Sequence, residues 1–386
     1  MNIAGVFLNK ELRTGGHTRY LDLMEGLARR GNHVVVLMNE LLGYRPQVFE
    51  AVSHAVKYRR HGVVPASWIF RRAARARSRE LVDRCGRADA AIVFGETHLE
   101  AGLCIAKALG APLVYGHRSN TVRELLTYLS EPGLSVSRRI VLHTQLIKCN
   151  RDERRIVRDA DLIAFQSDYD SRDFISRNPG AASHVCVVRG DISGPRFKSQ
   201  YAQANRSAFL RRVAFIGALG KRKGIDYLID AISILKDRGI TEISFDLVGP
   251  GQQHDEIERV LKERGLSERV TINGRIPDPF ALLASTDLLV VPSVFDSYPN
   301  TVLEALHVGT PVIGSRVGGI PDQLVHDELL FPPMDAASIA ARIERCVREP
   351  AFYARIRELC AGRRKAFVFD WAEAWEKAIE RLAAKT

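Results

Sequence analysis

The stretch DLLVVPSVFDSYPNTVLEALHVGTPVIGSRVGGIPDQL occupies residues 287–324 and joins two short apolar runs through a helical pattern. DLLVVPS predicts a buried strand, TPVIGS predicts a second strand, and VLEALHV has the apolar spacing of a helix that ends at Gly309. A strand, a helix and a further strand in this order build a parallel sheet with helices on its faces. This unit therefore predicts an α/β fold.

The loop FDSYPNT, residues 295–301, connects the first strand to the helix. Pro299 lies near the helix start, where a backbone N–H has no acceptor within the helix, so the N–H that proline lacks is not missed. We expect the backbone N–H groups of Asn300, Thr301 and Val302 to point into a ligand crevice, where they suit phosphate or sugar oxygens.

Two carboxylates stand eight residues apart on either side of this helix start. Asp296 lies on the incoming loop, and Glu304 lies in the second turn of the predicted helix. From these positions they can flank a bound molecule and accept hydrogen bonds from its hydroxyl groups. A local role is the alternative: Asp296 would cap the turn, and Glu304 would bond a neighbouring backbone amide.

The same alternation of strands and helices runs along the whole chain, with one helix predicted from Leu21 to Arg30. We expect two sheet domains, over residues 1–200 and 207–365, separated by the polar stretch KSQYAQANRS at residues 198–207. Such domains bind ligands in the crevice between them, at the carboxyl ends of their strands. The predicted strands are NIAGVF, HVVVLM, DAAIVF, PLVYGH and DLIAFQS, then RRVAFIG, ISFDLVG, RVTING, DLLVVPS and TPVIGS.

The chain ends in an amphipathic pattern from Asp370 to Ala384, in which Trp371 and Trp375 share one helical face. We expect residues 366–386 to form a helix that packs back on the first domain. This helix is expected to cross the seam between the two domains.

The composition is that of a soluble globular protein, with 46% hydrophobic and 26% charged residues among 386. No apolar run approaches the about 20 residues of a membrane span, and the opening MNIAGVFLNK lacks the pattern of a secretion signal. We therefore expect a cytoplasmic location. The six cysteines stand singly, without the CxxC pairs of zinc sites, so we expect neither a zinc site nor a disulfide framework.

The net charge of +11 is concentrated in the first half of the chain. Residues 1–191 carry 29 Lys and Arg against 20 Asp and Glu, whereas the remainder carries 27 against 25. A basic surface attracts nucleic acid, anionic lipid or a phosphorylated ligand alike. No nucleic-acid motif accompanies this charge, so nucleic acid is not expected as a partner.

Two loops of the first domain have the composition of ligand contacts. Gly15 and Gly16 precede the first predicted helix, where paired glycines allow close backbone approach and the helix start favours an anion. A plain tight turn is the alternative. His117 and Arg118 follow the predicted strand APLVYG on the ligand side of the sheet, although a structural histidine fits the sequence as well.

In the second domain, Lys221, Arg222 and Lys223 directly follow the strand RRVAFIG. Three cations beside glycine suit a diphosphate, and a solvated basic turn is the alternative. The GK[ST] sequence of a nucleoside triphosphatase phosphate loop is absent from this turn, and LVGPGQQH is only an incomplete GxGxxG fingerprint.

Taken together, VPSVFDSYPNTVLEALHVGTPVIGSRVGGIPDQL resembles the signature of glycosyltransferase family 4, retaining nucleotide-sugar transferases of the GT-B fold. The shared features are proline-serine, two carboxylates separated by seven residues, Glu-Ala, Gly-x-Pro-Val and Gly-Gly-Ile-Pro. Other similar segments include TGGHTRY, ADLIAFQS, FIGALGKRKGIDYLI and FDLVGPG. The resemblance covers the whole chain and is weaker over residues 40–85 and 118–155. It implies two Rossmann-like parallel-sheet domains facing across a cleft.

The resemblance also implies roles for individual residues. Asp296 takes the place of the first family glutamate, which contacts the donor sugar, and Glu304 that of the second, which holds the ribose hydroxyls. Lys223 matches the lysine on the donor diphosphate, and the turn Gly274-Arg275-Ile276 would contact the base. The expected catalytic residues are Lys223, Asp296 and His117. The expected donor contacts are Gly16, Arg222, Lys223, Arg275, Ile276, Asp296, Tyr298, Asn300, Thr301, Val302 and Glu304, and the expected acceptor contacts are Gly15, Gly16, His117 and Arg118.

Two positions depart from the family pattern. Ala218 stands where the family usually has an arginine, and Lys221 or Arg222 is expected to supply that charge. Asp296 is one methylene shorter than the family glutamate. We expect altered donor specificity rather than lost activity.

The implied reaction moves a sugar from a nucleotide diphosphate sugar, with a UDP-sugar preferred, to a sugar, lipid-linked or small-molecule acceptor. The anomeric configuration is retained, and neither a metal nor a cofactor is required. Cell-surface glycan, glycolipid and glycosylated natural-product synthesis are the expected settings. The alternatives are a GT-B-type sugar-nucleotide epimerase, which needs no acceptor, and a catalytically idle transferase-like binding subunit.

Asp168 and Asp170 have the spacing of the Asp-x-Asp metal motif of some sugar transferases. Ser167, however, follows the strand DLIAFQ and fits a helix N-cap, with acidic residues in the first turn. We therefore expect helix capping rather than metal binding here.

The segment SWIFRRAARARSRELV sets three apolar residues, Trp68, Ile69 and Phe70, beside a run of arginines. A helix with apolar and cationic faces can lie on an anionic membrane, which suits a lipid-linked acceptor and a peripheral location at the inner face. An ordinary surface helix is the alternative. The arginines are Arg71, Arg72, Arg75, Arg77 and Arg79.

Overall fold

The computed structural model describes residues 1–12, 15–58, 64–130, 133–194, 196–197, 199–201, 207–251 and 253–384. The chain forms two compact units, each built on one parallel sheet. The N-terminal unit comprises Met1–Arg189, Gly194–Arg196 and Asp370–Thr386, and the C-terminal unit comprises Gly190–Ser193 and Phe197–Phe369. Within the polar stretch predicted as a boundary, residues 198 and 202–206 lie outside the described residues.

The sheet of the N-terminal unit has seven parallel strands in the order β3-β2-β1-β4-β5-β6-β7. Its central strand pairs Ile3 with Val34 on one side and with Ala90 on the other. The strand order reverses at this point, as in doubly wound sheets that bind ligands at the carboxyl edge. The strands are β1 (Asn2–Phe7), β2 (His33–Asn39), β3 (Glu50–His54), β4 (Ala90–Phe94), β5 (Leu113–Gly116), β6 (Leu162–Phe165) and β7 (Val185–Val187).

Helices accompany this sheet, and side-chain caps begin several of them. Asn120 and Ser135 accept hydrogen bonds from backbone amides three residues ahead, which satisfies donors that the helix itself cannot. The helices are α1 (Gly15–Arg29), α2 (Ala66–Cys85), α3 (Glu96–Leu109), α4 (Thr121–Leu129), α5 (Val136–Asp159), α6 (Asp168–Arg177) and α14 (Trp371–Ala383).

The sheet of the C-terminal unit has six parallel strands in the order β10-β9-β8-β11-β12-β13. The strands are β8 (Arg212–Ile216), β9 (Ser244–Val248), β10 (Val270–Asn273), β11 (Leu288–Val291), β12 (Val312–Ser315) and β13 (Leu330–Phe331). The helices are α7 (Ile225–Asp237), α8 (His254–Glu263), α9 (Pro279–Ala284), α10 (Asn300–Val308), α11 (Ile320–Leu324), α12 (Ala336–Arg348) and α13 (Pro350–Lys365).

The predicted fold of two parallel sheets is confirmed, and each predicted strand forms. The sequence missed β3, β7 and β13, which are edge strands of five, three and two residues. An edge strand this short carries too few apolar residues to produce a recognisable pattern.

The first helix begins earlier than predicted. It starts at Gly15, not at Leu21, so Gly15 and Gly16 form its first turn instead of a turn before it. Glycine has a low helix propensity, and the buried face of the helix begins only at Arg19 and Tyr20. For both reasons, the apolar pattern of the sequence does not show that the helix starts at Gly15.

Helix α14 packs within the N-terminal unit beside α1. Arg30, just after α1, donates to Asp370 and to Glu376, each at 2.6 Å. Trp371 and Trp375 are buried, and the Arg19 guanidinium lies 4.2 Å from the centre of the Trp371 ring. The shared face of the two tryptophans is therefore the packed face of the helix.

The segment predicted to meet a membrane is helix α2, and its apolar residues divide between core and surface. Phe70 is fully buried, whereas Trp68 is 46% exposed. Arg71 approaches Glu100 at 3.7 Å, and Arg77 donates to Glu80 at 3.1 Å. Among the helices within the described ranges, none is long and apolar enough to cross a membrane.

A close approach at Gly249 joins two loops at the carboxyl edge of the C-terminal sheet. Gly249 follows β9 with a φ of 150°, and a Cβ there would collide with the Gly217 carbonyl oxygen after β8. The Gly217 amide donates to Val248, and the Leu219 amide to Pro250, each at 2.9 Å. A residue without a side chain is required for these loops to run side by side.

Gly249→Ala is expected to destabilise the C-terminal unit by at least about 2 kcal/mol, because the backbone has to move to admit the methyl group. Hydrogen-exchange mass spectrometry of the peptides covering β8 and β9 measures this effect. Gly362→Ala in α13 is the matched control, since a Cβ there meets nothing within 4 Å. Unchanged exchange in the Gly249 variant would contradict the close approach.

Candidate active site

The candidate donor residues follow the strands of the C-terminal sheet at its carboxyl edge. Since all of its strands run parallel, the loops after β8, β10 and β11 emerge at one edge. Lys223 follows β8, Arg275 and Ile276 follow β10, and Asp296 follows β11. The topology thus collects residues that are far apart in sequence.

The three cations after β8 form a single 3-10 turn, Lys221–Lys223, that ends at Gly224. Gly224 is left-handed, with φ 70°, and a Cβ there would collide with the Pro292 carbonyl oxygen after β11. The Arg222 carbonyl accepts from the Val294 amide at 2.9 Å. Backbone contacts therefore fix the basic turn against the neighbouring loop. Arg222 and Lys223 are half-buried, whereas a solvated surface turn would leave them exposed.

Lys223 and Asp296 form an ion pair between these two loops. The Lys223 ammonium donates to the Asp296 carboxylate, and only 17% and 10% of the two side chains is exposed. Because both groups are largely removed from water, the pair holds each in a defined position. Two residues predicted to share a site are thus in direct contact. The Asp296 carboxylate binds Lys223, whereas the alternative prediction had it capping its own turn.

The Gly-Gly turn after β12 holds the backbone of Asp296. The Gly319 amide donates to the Asp296 carbonyl at 3.1 Å, and Gly318, with φ 51°, lies where a Cβ would collide with that same carbonyl. A side chain at position 318 would therefore displace Asp296. This supporting role of the glycines was not assigned from the sequence, although Gly-Gly-Ile-Pro formed part of the resemblance.

Helix α10 begins at Asn300 and has no side-chain cap. The Pro299 carbonyl accepts from the Gln323 side chain at 3.1 Å and from the Val302 amide at 3.2 Å. The expectation for Val302 is therefore wrong, because its N–H is used within the first turn. No described residue accepts from the amides of Asn300 or Thr301, so these two donors remain available.

The remaining predicted donor residues differ in their accessibility. Glu304 lies in the second turn of α10 and is 9% exposed. Arg275 is exposed and Ile276 is half-buried. Tyr298 is 6% exposed and its side chain packs in the hydrophobic core of the unit. Its contact with the donor stays a prediction.

In the N-terminal unit, His117 lies at the end of β5, where its amide donates to the Ala164 carbonyl at 2.8 Å. Its ring stacks on Phe165 at a centroid distance of 4.4 Å and meets Phe174 edge-on at 5.4 Å. Burial, and then the nearby Arg177 charge, lower the pKa of His117 to about 3. The imidazole is therefore neutral at physiological pH, and it can position a hydroxyl group without carrying charge.

Arg118 and Gly16 lie against each other in the same unit. The Arg118 guanidinium occupies the space that a side chain at position 16 would need. Desolvation lowers the pKa of Arg118, and the Glu96 carboxylate opposes that shift. The predicted acceptor residues Gly16 and Arg118 are thus in contact, at the start of α1.

The pair Asp168 and Asp170 belongs to a helix start. Ser167 accepts from the Asp170 amide at 3.1 Å, which confirms the predicted N-cap. Asp168 bonds Arg189, and Asp170 accepts from Asn120 at 3.2 Å. Both carboxylates therefore have protein partners.

A second buried histidine, His98, was not identified from the sequence. Its Nε2 accepts from the Leu8 amide at 3.1 Å, and its ring stacks with Phe7. Burial lowers the pKa of His98 to about 3, so it stays neutral as the acceptor for this loop. Nothing in the helix sequence ETHLEAG sets this residue apart from a surface histidine.

Two family models match the chain, one in each half. A "Glycosyl transferase 4-like domain" matches residues 14–190, and "Glycosyl transferases group 1" matches residues 211–349. The first match covers helix α1 and strands β2 to β7 of the N-terminal unit. The second covers the basic turn, Asp296 and Glu304.

Similar curated proteins include two from Streptomyces kanamyceticus. A 2-deoxystreptamine glucosyltransferase is 32% identical over 48% of this chain and 50% of its own length. An alpha-D-kanosaminyltransferase is 26% identical over 67% of each protein. The chain therefore spans half of the first relative and two thirds of the second.

Similar solved structures cover nearly the whole chain at low identity. The sucrose-phosphate synthase of Thermosynechococcus elongatus has a TM-score of 0.77 with 19% identity, over 100% of both chains. The Anabaena protein HepE, solved in complex with UDP-glucose, has a TM-score of 0.67 with 19% identity, over 99% of both chains. At this identity the likeness establishes the fold. With the two family models, it shows that the chain belongs to the family 4-like glycosyltransferases of the GT-B fold.

Proposed function

We propose that the protein transfers a sugar from a nucleotide diphosphate sugar to an acceptor hydroxyl group, with retention of anomeric configuration and without a metal. The observation that carries this proposal is the Lys223–Asp296 ion pair at the carboxyl edge of the C-terminal sheet. In this proposal the ammonium binds the diphosphate, and the adjacent carboxylate binds the sugar.

The leaving diphosphate gains negative charge as the bond to the sugar breaks. An ammonium has three N–H donors, so Lys223 can bond Asp296 and the diphosphate together. The amides of Asn300 and Thr301 at the start of α10 add two further donors and the favourable end of the helix dipole. Fixed positive charge of this kind stabilises the transition state without a metal ion.

The transfer itself needs no protein base in this proposal. The bond from the anomeric carbon to the phosphate oxygen breaks, the bond to the acceptor oxygen forms on the same face, and the phosphate oxygen takes the acceptor proton. Because His117 is neutral, it can accept or donate a hydrogen bond that positions a hydroxyl group. A UDP-sugar is the favoured donor, since the similar protein HepE was solved with UDP and with UDP-glucose.

The test of this function is release of UDP from UDP-sugars in the presence of a panel of hydroxylated acceptors. NMR of the product identifies the linkage and the anomeric configuration. The same assay without acceptor distinguishes the sugar-nucleotide epimerase, which would convert the donor alone. Absence of both reactions, with intact nucleotide binding, would favour a catalytically idle binding subunit.

Lys223→Ala is expected to weaken binding of both UDP and inorganic pyrophosphate by about tenfold or more, because it removes a charge-assisted hydrogen bond. Transfer should fall by about 100-fold, since the developing charge loses its cation. Isothermal titration calorimetry and initial rates measure the two effects. Lys262→Ala, on the exposed face of α8, is the matched control and should change neither quantity. Wild-type affinity for pyrophosphate in the Lys223 variant would refute the assigned contact.

Glu304→Gln is expected to weaken UDP binding by about tenfold while leaving pyrophosphate binding unchanged, because the carboxylate is proposed to hold ribose hydroxyls. The comparison between the two ligands separates this role from a general loss of structure. Equal losses for UDP and pyrophosphate would show that Glu304 supports the fold of α10 instead of contacting the ribose.

Removal of divalent ions is expected to leave transfer within about twofold of its initial rate, because Lys223 and the helix amides supply the positive charge that a metal would otherwise provide. Assays in excess EDTA, with magnesium restored as the control, measure this. A loss that magnesium reverses would require a metal in the reaction.

A further inference from the structure

The N-terminal unit contains a cavity of about 460 Å³ that none of the predicted donor residues lines. Its walls are the start of α3, the loop after β5, helix α4 and helix α5. This volume lies within the range of about 300 to 1,000 Å³ that is usual for small-molecule sites. Every residue that lines it belongs to the N-terminal unit.

The charges on the cavity wall are mainly acidic. Four carboxylates and two cations line it, and Glu153 is bonded to Arg177 at 2.7 Å. Glu96 and Asp152 form no ion pair with any described residue. The two lining cations, Arg138 and Lys148, are both exposed to water. Two carboxylates therefore face the cavity without a bonded cation.

Glu96 is exposed and Asp152 is half-buried, yet the protein around both carboxylates favours their neutral forms. Desolvation raises the pKa of Glu96, and the Arg118 charge only partly opposes this. Desolvation likewise raises the pKa of Asp152, against the opposing charges of Lys148, Arg155 and Arg151. A positive group bound between the two would favour their ionised forms, and that coupling adds to its affinity.

The same cavity has surfaces for the rest of a sugar-like molecule. Leu125, Leu142 and Tyr128 give it apolar walls against which the C–H face of a ring can pack. His117 lines one end, is 6% exposed, and has an Nδ1 atom with no hydrogen-bond partner. A buried polar atom without a partner is costly, and a ligand hydroxyl group would supply one.

We propose that this cavity binds the acceptor, and that it selects a polyhydroxylated molecule bearing a protonated amine. Glu96 and Asp152 hold the ammonium, and the acceptor hydroxyl group lies beside His117. This inference rests on the transferase function proposed above. It adds the chemical class of the acceptor and two carboxylates that no sequence motif indicates.

The test compares sugars that differ in one substituent. D-glucosamine carries an ammonium at neutral pH, whereas D-glucose and N-acetyl-D-glucosamine are uncharged, and D-glucose 6-phosphate is anionic. Ligand-observed NMR titrations of the full chain are expected to give an affinity for D-glucosamine about tenfold higher than for the other three, the difference made by one charge-assisted hydrogen bond. UDP is titrated into the same samples.

Glu96→Gln and Asp152→Asn are each expected to reduce the affinity for D-glucosamine by about tenfold while leaving that for D-glucose within about twofold. Asp83→Asn is the matched control, because Asp83 is an exposed carboxylate on α2 outside the cavity. It should change neither affinity. Unaltered melting temperatures show that each variant is folded.

Two results would overturn the proposal. Equal affinity for all four sugars, including undetectable binding of every one, would refute amine selection, as would a preference for D-glucose 6-phosphate. If UDP still binds in that case, the donor function stands and only the acceptor assignment fails. If UDP does not bind, both the proposed function and this inference fail.

Discussion

The ion pair between Lys223 and Asp296 joins two loops that the chain reaches more than seventy residues apart. Parallel strands bring those loops to one edge, but they do not by themselves place two side chains in contact. That placement comes from the backbone. Gly224 lets the basic turn press against the Pro292 carbonyl, and Gly318 lets a second turn press against the Asp296 carbonyl. The Lys223 and Asp296 side chains keep their positions because the backbone of both loops is tightly packed at Gly224 and Gly318.

The two units provide different electrostatic environments. In the C-terminal unit, positive charge is concentrated at a helix start and a basic turn, as an anionic leaving group requires. In the N-terminal unit, aromatic rings surround a neutral His117, and carboxylates line the nearby cavity. The proposed diphosphate site therefore lies in one unit, and the proposed acceptor cavity lies in the other.

The sequence was sufficient for the fold and for the residues that follow buried strands, because apolar runs and helix stops are local signals. Lys223 and Asp296 could be paired only through resemblance, since no local pattern relates positions this far apart. The expectation of a free Val302 amide was wrong, because the use of a backbone amide depends on the local fold of the helix start. Glu96 and Asp152 have no motif, because their shared cavity exists only after three helices pack.

Gly16 and Arg118 lie so close together that the guanidinium fills the volume of an absent side chain. This arrangement makes the two positions interdependent over evolutionary time. Alanine at position 16 requires the guanidinium to turn aside, and loss of the arginine removes the restriction on the glycine. Chimeras that exchange the first helix without the segment after β5 would separate these two positions, and the arginine would then adopt a different rotamer in each combination.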